Sequence, residues 1–99
     1  MVAKNTKGRL INCVITQCGD SGISCRRNAL IELEGSQTKV DGNGTSGGSY
    51  GLHTLSTSSI IHLLFPLTKE SVSTNNQGGR KYYSGDGTIQ TVESFENLV

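Results

Sequence analysis

Thr38-Lys39-Val40-Asp41-Gly42-Asn43 repeats the pattern of Cys13-Val14-Ile15-Thr16-Gln17-Cys18, with Ile15 falling on Val40 and Cys18 on Asn43. Downstream, Ser21-Gly22-Ile23 falls on Tyr50-Gly51-Leu52, and Ile31-Glu32-Leu33-Glu34 on Ile61-His62-Leu63-Leu64. The offset grows from 25 (Ile15 to Val40) to 29 (Gly22 to Gly51) to 30 (Leu33 to Leu63), because the second copy carries an added loop, Gly44 to Ser49. Each copy reads apolar-x-x-small or polar, a turn, Gly-apolar, a second turn, then apolar-x-apolar. Three short strands in a period of about 20–30 residues is the pattern of a parallel β-helix, whose coils have three faces with a bend between each pair. Inward residues are then expected to stack on their equivalents at the roughly 4.8 Å spacing of neighbouring strands. Cys18 and Asn43 are expected at a bend, where an Asn side chain can satisfy backbone groups that the turn leaves unpaired.

Composition agrees with short strands and bends. The 99 residues include 13 Gly, 12 Ser, 10 Thr and 7 Asn but only two Ala, which argues against a helical bundle or coiled coil. No run of 18 apolar residues offers a membrane span. At 33% hydrophobic and without Trp, the core must be narrow and built from Ile, Leu and Val. A net charge of +1 and recurrent apolar clusters argue against disorder. The basic pairs Arg26-Arg27 and Arg80-Lys81 are not interleaved with stacking aromatics, which argues against a nucleic-acid partner. The opening Met-Val-Ala-Lys-Asn-Thr-Lys-Gly-Arg lacks the apolar run of a secretory signal, and Cys13, Cys18 and Cys25 are an odd count. The expectation is an intracellular or virion protein with no disulfide framework.

The run Cys13-x-Ile15, Ser21-Gly22-Ile23, Val40-x-x-Asn43 resembles the right-handed parallel β-helix repeats of the pectate-lyase-like solenoids. The segment Tyr50-Gly51-Leu52, Ile61-His62-Leu63, Pro66-Leu67-Thr68-Lys69-Glu70, Asn75-Asn76, Gly78-Gly79, Gly85-Asp86-Gly87, Ile89 is similar to the closing coils of β-helix proteins encoded by algae and large algal DNA viruses. The resemblance spans roughly residues 8 to 92. It implies an all-β, right-handed solenoid of about three to four short coils with a C-terminal cap, and a structural or interaction role. The expected organisation is a polar arm at 1–7, coils and a closing loop at 8–92, and a tail or cap at 93–99.

Enzymes of this fold class cleave acidic polysaccharides with clustered carboxylates, and the residues here do not supply such a cluster. Asp20, Asp41 and Asp86 each sit in a turn beside glycine and do not obviously converge. Glu32 and Glu34 flank Leu33, so both are expected to face outward as a surface pair that keeps a strand soluble. Cys13, Cys18 and Cys25 lie five and seven apart, unlike zinc knuckles, and read as small side chains packed inside coils. Gly42-Asn43-Gly44-Thr45-Ser46-Gly47 spells a dinucleotide fingerprint but opens no helix. No catalytic residue, metal site or cofactor is therefore assigned. The best binding patch is Arg80-Lys81-Tyr82-Tyr83 with Asp86, where tyrosine faces beside cations suit a glycan.

A solenoid with open ends presents unpaired strand edges, which natural repeat proteins cap. Material for a cap lies at Glu70 to Gly87 and at Glu93 to Val99, whereas only the seven-residue arm precedes Gly8. The first coil, with Leu10, Ile11, Cys13 and Ile15, is accordingly the expected assembly edge, meeting a protein partner or a second copy. The alternative is a carbohydrate-binding or polysaccharide-cleaving protein.

Overall fold

The computed structural model describes residues 1–44, 50–76, 82–83 and 86–94. The strands are β1 (Val2–Ala3), β2 (Lys7–Ile11), β3 (Val14–Thr16), β4 (Ile23–Cys25), β5 (Leu30–Glu34), β6 (Lys39–Asp41), β7 (Leu52–Thr54), β8 (Ile60–Leu64), β9 (Ser73–Thr74), β10 (Tyr82–Tyr83) and β11 (Thr88–Val92). A single helical turn, α1 (Lys69–Val72), stands between β8 and β9. Apart from that turn the described residues are all-β. Its strands form three parallel sheets, ordered β1-β4-β7-β10, β2-β5-β8-β11 and β3-β6-β9. The chain visits the first, second and third sheets in fixed rotation, so each strand pairs with the third one after it. Parallel neighbours require a crossover, and here it consists of one strand in each of the other two sheets.

Register follows the internal repeat. Ile15 pairs with Val40, Ile23 with Leu52 and Leu33 with Leu63. Side chains alternate across a strand, and the inward set stacks in columns: Ile31, Ile61 and Ile89 in one, Leu10, Leu33 and Leu63 in the next, all on the second sheet. Ile23 and Leu52 stack on the first sheet, and Ile15 and Val40 on the third. Ile23, Leu33, Leu52, Ile61 and Leu63 are fully buried, and burying each such side chain favours folding by about 1.5–3 kcal/mol. The approach is close enough that a Cβ on Gly22 would lie 2.4 Å from Val40 Cγ1, so only glycine fits where the third and first sheets meet.

The bends repeat as regularly as the strands. Between the third and first sheets, Gln17, Gly42 and Asn75 take φ of 60°, 68° and 52°. Between the first and second, Asn5 and Asn28 take 51° and 54°, and the Asn28 amide donates to Asn5 Oδ1 at 3.3 Å. Between the second and third, Asn12 stands at 50° and Gly35 at 101°. Left-handed backbone is strained for most L residues but tolerated by Asn and Gly, and those two types hold six of these seven bend positions.

The predicted Asn bend is present. Asn43 is buried, accepts from Cys18 N–H at 3.0 Å and donates to Ile15 O at 3.1 Å. Asn76 repeats this one turn of the chain later, accepting from Asn43 N–H at 2.9 Å and donating to Val40 O at 3.2 Å.

Several expectations need correcting. Strand pairing starts at β1, within the expected polar arm, where Val2 and Ala3 pair with Ser24 and Cys25. The stretch expected to be a closing loop contains α1, β9 and β10, which continue the rotation through the sheets. There Thr68 and Ser71 form a reciprocal capping box at 3.0 Å each way, and Val72 is buried. Of the three cysteines only Cys25 is buried, whereas Cys13 and Cys18 are half-buried.

Candidate functional site: the open edges of the first three strands and the outer face beside them

Three strands begin the three sheets, and among the described residues β1, β2 and β3 each have a neighbour on one side only. Their other edges present backbone N–H and C=O groups. The sequence-predicted edge residues all belong to this end. Leu10 and Ile15 turn inward and pack half-buried against the core, while Ile11 turns outward and is 54% exposed. Cys13 lies at the bend between β2 and β3, its thiol directed to Ile11 O at 3.4 Å. Val2 and Val14, which the sequence reading did not single out, are 65% and 62% exposed.

The outer side of the second sheet carries one cross-strand row: Arg9, Glu32, His62 and Gln90, paired successively in register. Glu32 points away from the core, as its alternation with Leu33 required, yet it is only 3% exposed. The expectation of a solvated Glu32–Glu34 pair is corrected accordingly for Glu32. Its charge is balanced by Arg9, whose Nε and Nη2 lie 3.1 and 3.0 Å from Glu32 Oε1. At the other end of the row, Gln90 Nε2 lies 3.3 Å from His62 Nε2. Lys7, Gly8, Arg9 and Glu32 line a shallow cleft of about 300 Å³ that opens along β2.

Charge is distributed unevenly about this edge. Residues 1–19 contain Lys4, Lys7 and Arg9 and no carboxylate, the first acid being Asp20. The near-neutral whole therefore conceals a cationic first stretch of chain spanning β1, β2 and β3. In sequence, the offset of 23 that places Arg9 on Glu32 is obscured because Gly8 occupies the position held by Ile31, Ile61 and Ile89 in the other strands of the column.

The predicted glycan patch is only partly within view. Arg80 and Lys81 lie outside the described residues. Tyr82 and Tyr83 form β10, pairing with Leu52 and His53, and Asp86 is exposed just before β11. On the outer side of the first sheet, His53 stacks at a tilt on Tyr50 with ring centroids 5.2 Å apart. Burial lowers its pKa, Asp20 opposes that shift, and Arg26 adds to it. Among the described residues, no three His, Cys, Asp or Glu side chains group as metal ligands, and no helix is long and apolar enough to cross a membrane. Comparison with protein-family models, curated proteins and solved structures gives no match.

Proposed function

We propose that the chain is a non-enzymatic, right-handed parallel β-helix module, a component of a larger assembly such as a virion or multi-subunit complex, and that it docks through its first coil. What supports the helical reading is the fixed rotation of the chain through three parallel sheets with left-handed bends in register. The observation that carries the docking role is the open edge: β1, β2 and β3 end their sheets, and Val2, Ile11 and Val14 are the exposed aliphatics beside them. Open strand edges template pairing with another chain. A small solenoid also gains stability from a partner that covers its end.

Photo-crosslinking in the native cells tests the reading. A crosslinking residue at Ile11 or Val14 is expected to yield an adduct of discrete mass, and the same residue at Gln90, on β11 at the opposite edge, is not. Equal yields from all three positions sink the proposal.

A further inference from the structure

The partner's chemistry is written on β2. We infer that the open edge of β2 takes an added parallel strand in which acidic residues alternate with large aliphatic ones, the acids meeting Lys7 and Arg9 and an aliphatic side chain covering Gly8. This inference rests on the reading of the first coil as a docking edge and specifies what docks there.

Three observations converge on it. On its inner edge β2 already pairs with such a strand: β5 reads Leu-Ile-Glu-Leu-Glu, sets Glu32 against Arg9 and sets Ile31 against Gly8. Side chains of a β-strand stand perpendicular to the sheet and so are shared by both edges. The Arg9 side chain is 43% exposed beside the nearly buried Glu32, so its charge is within reach of an added strand. Gly8 is the second observation. The inward column Gly8, Ile31, Ile61, Ile89 lacks a side chain only at the open edge. A Cβ on Gly8 would meet only Ile31 Cδ1, at an ordinary 3.4 Å, so internal packing does not demand glycine. Third, the first 19 residues hold three cations and no acid. A second copy pairing antiparallel through β2 about Arg9 would set Arg9 opposite Arg9, and like charges directly opposite destabilise a strand pair. Cations on an edge strand discourage self-pairing, and here they also select an acidic partner.

The test uses the full chain and two capped, fluorescent peptides: Thr-Glu-Ile-Glu-Leu-Thr and its twin with Lys in place of both Glu. Anisotropy titration at low salt gives the affinities, and hydrogen–deuterium exchange follows residues Lys7 to Ile11. The acidic peptide is expected to bind about tenfold or more tightly than its twin, the worth of two favourable cross-strand charge pairs, and to protect the β2 amides. Lys7→Glu, at an exposed position, should keep the wild-type circular dichroism spectrum and erase that preference. Equal affinity of the twins with β2 protected overturns the acidic selectivity but leaves the docking edge standing. If neither peptide protects β2, both readings fall. If heparin or a single-stranded oligonucleotide displaces the acidic peptide as well as the unlabelled peptide does, the site is a general polyanion surface and the strand-addition inference is wrong.

Discussion

Asn76 lies one strand layer beyond Asn43 and makes the same bonds: each accepts a backbone N–H from the preceding layer's bend and returns an amide hydrogen to a carbonyl of the paired residues Ile15 and Val40. The ladder ties three successive bends of the chain. Asn43 is its middle member, engaged on both sides through side chain and backbone.

Asn43→Ala should therefore destabilise the protein more than an ordinary polar substitution. It removes the acceptor of Cys18 N–H and one donor to Ile15 O together, and a buried polar group left unpaired costs about 1–3 kcal/mol. The expected loss is about 2–4 kcal/mol in a urea titration. A loss below about 0.5 kcal/mol would show that water replaces the side chain without penalty.

This bend was legible in the sequence because Val40-x-x-Asn43 repeats Ile15-x-x-Cys18, and the same alignment gave the register of β5 on β8. Both rest on apolar pairs that stack in the same column. Legibility fails where a column loses its apolar member. Gly8 stands in place of isoleucine, hiding the pairing of β2 with β5 and with it the Arg9–Glu32 contact. Ser73 follows Ile15 and Val40 in the third sheet, and α1 precedes it, so the spacing from Val40 stretches to 33 residues and β9 reads as loop. With two residues, β1 has no alternation to detect. Leu10, Ile11, Cys13 and Ile15 were grouped by chain position alone, and which of them point outward depends on a pairing that the sequence did not supply.

Thr54→Val should stabilise the fold. Thr54 is fully buried, and its Oγ1 has no hydrogen-bond partner among the described residues. Valine replaces the hydroxyl with a methyl of similar size, removing an unpaired buried polar atom at a cost in volume close to zero. The gain expected is about 1 kcal/mol, seen as a rise in Tm of about 4–8 °C for a domain of this size. A lowered Tm would mean that the hydroxyl finds a partner in solution.

Thiol reactivity should divide two to one. Cys25 is fully buried between β1 and β7, and burial pushes its pKa up to about 12, so it presents almost no thiolate at neutral pH. Cys13 and Cys18 are half-buried at bends. With an aromatic disulfide reagent at pH 8, two equivalents should react in the native protein and the third only at the rate of global opening, accelerating in denaturant. Three indistinguishable rates would contradict the packing of Cys25.

Asp41 couples the third sheet to pH. Its Oδ1 accepts from Thr74 Oγ1 at 2.6 Å and from Asn75 Nδ2 at 3.0 Å. Those two bonds, with a smaller contribution from Lys39 and against slight desolvation, lower its pKa. A carboxyl whose folded pKa lies below its unfolded value of about 3.9 binds protons more readily when unfolded. Its stabilisation is therefore complete above that value and is lost as pH falls from about 4 through the folded pKa. Asp41→Asn removes the titrating group but keeps an oxygen able to accept from Thr74. The variant should melt below the wild type at pH 7, and the gap in Tm should narrow steadily as pH falls below about 4 and wild-type Asp41 takes up its proton. High salt should leave most of the gap, because short hydrogen bonds are screened less than the coulombic contribution of Lys39. A gap of constant size across that range would show that shape, and not ionisation, sets the worth of Asp41.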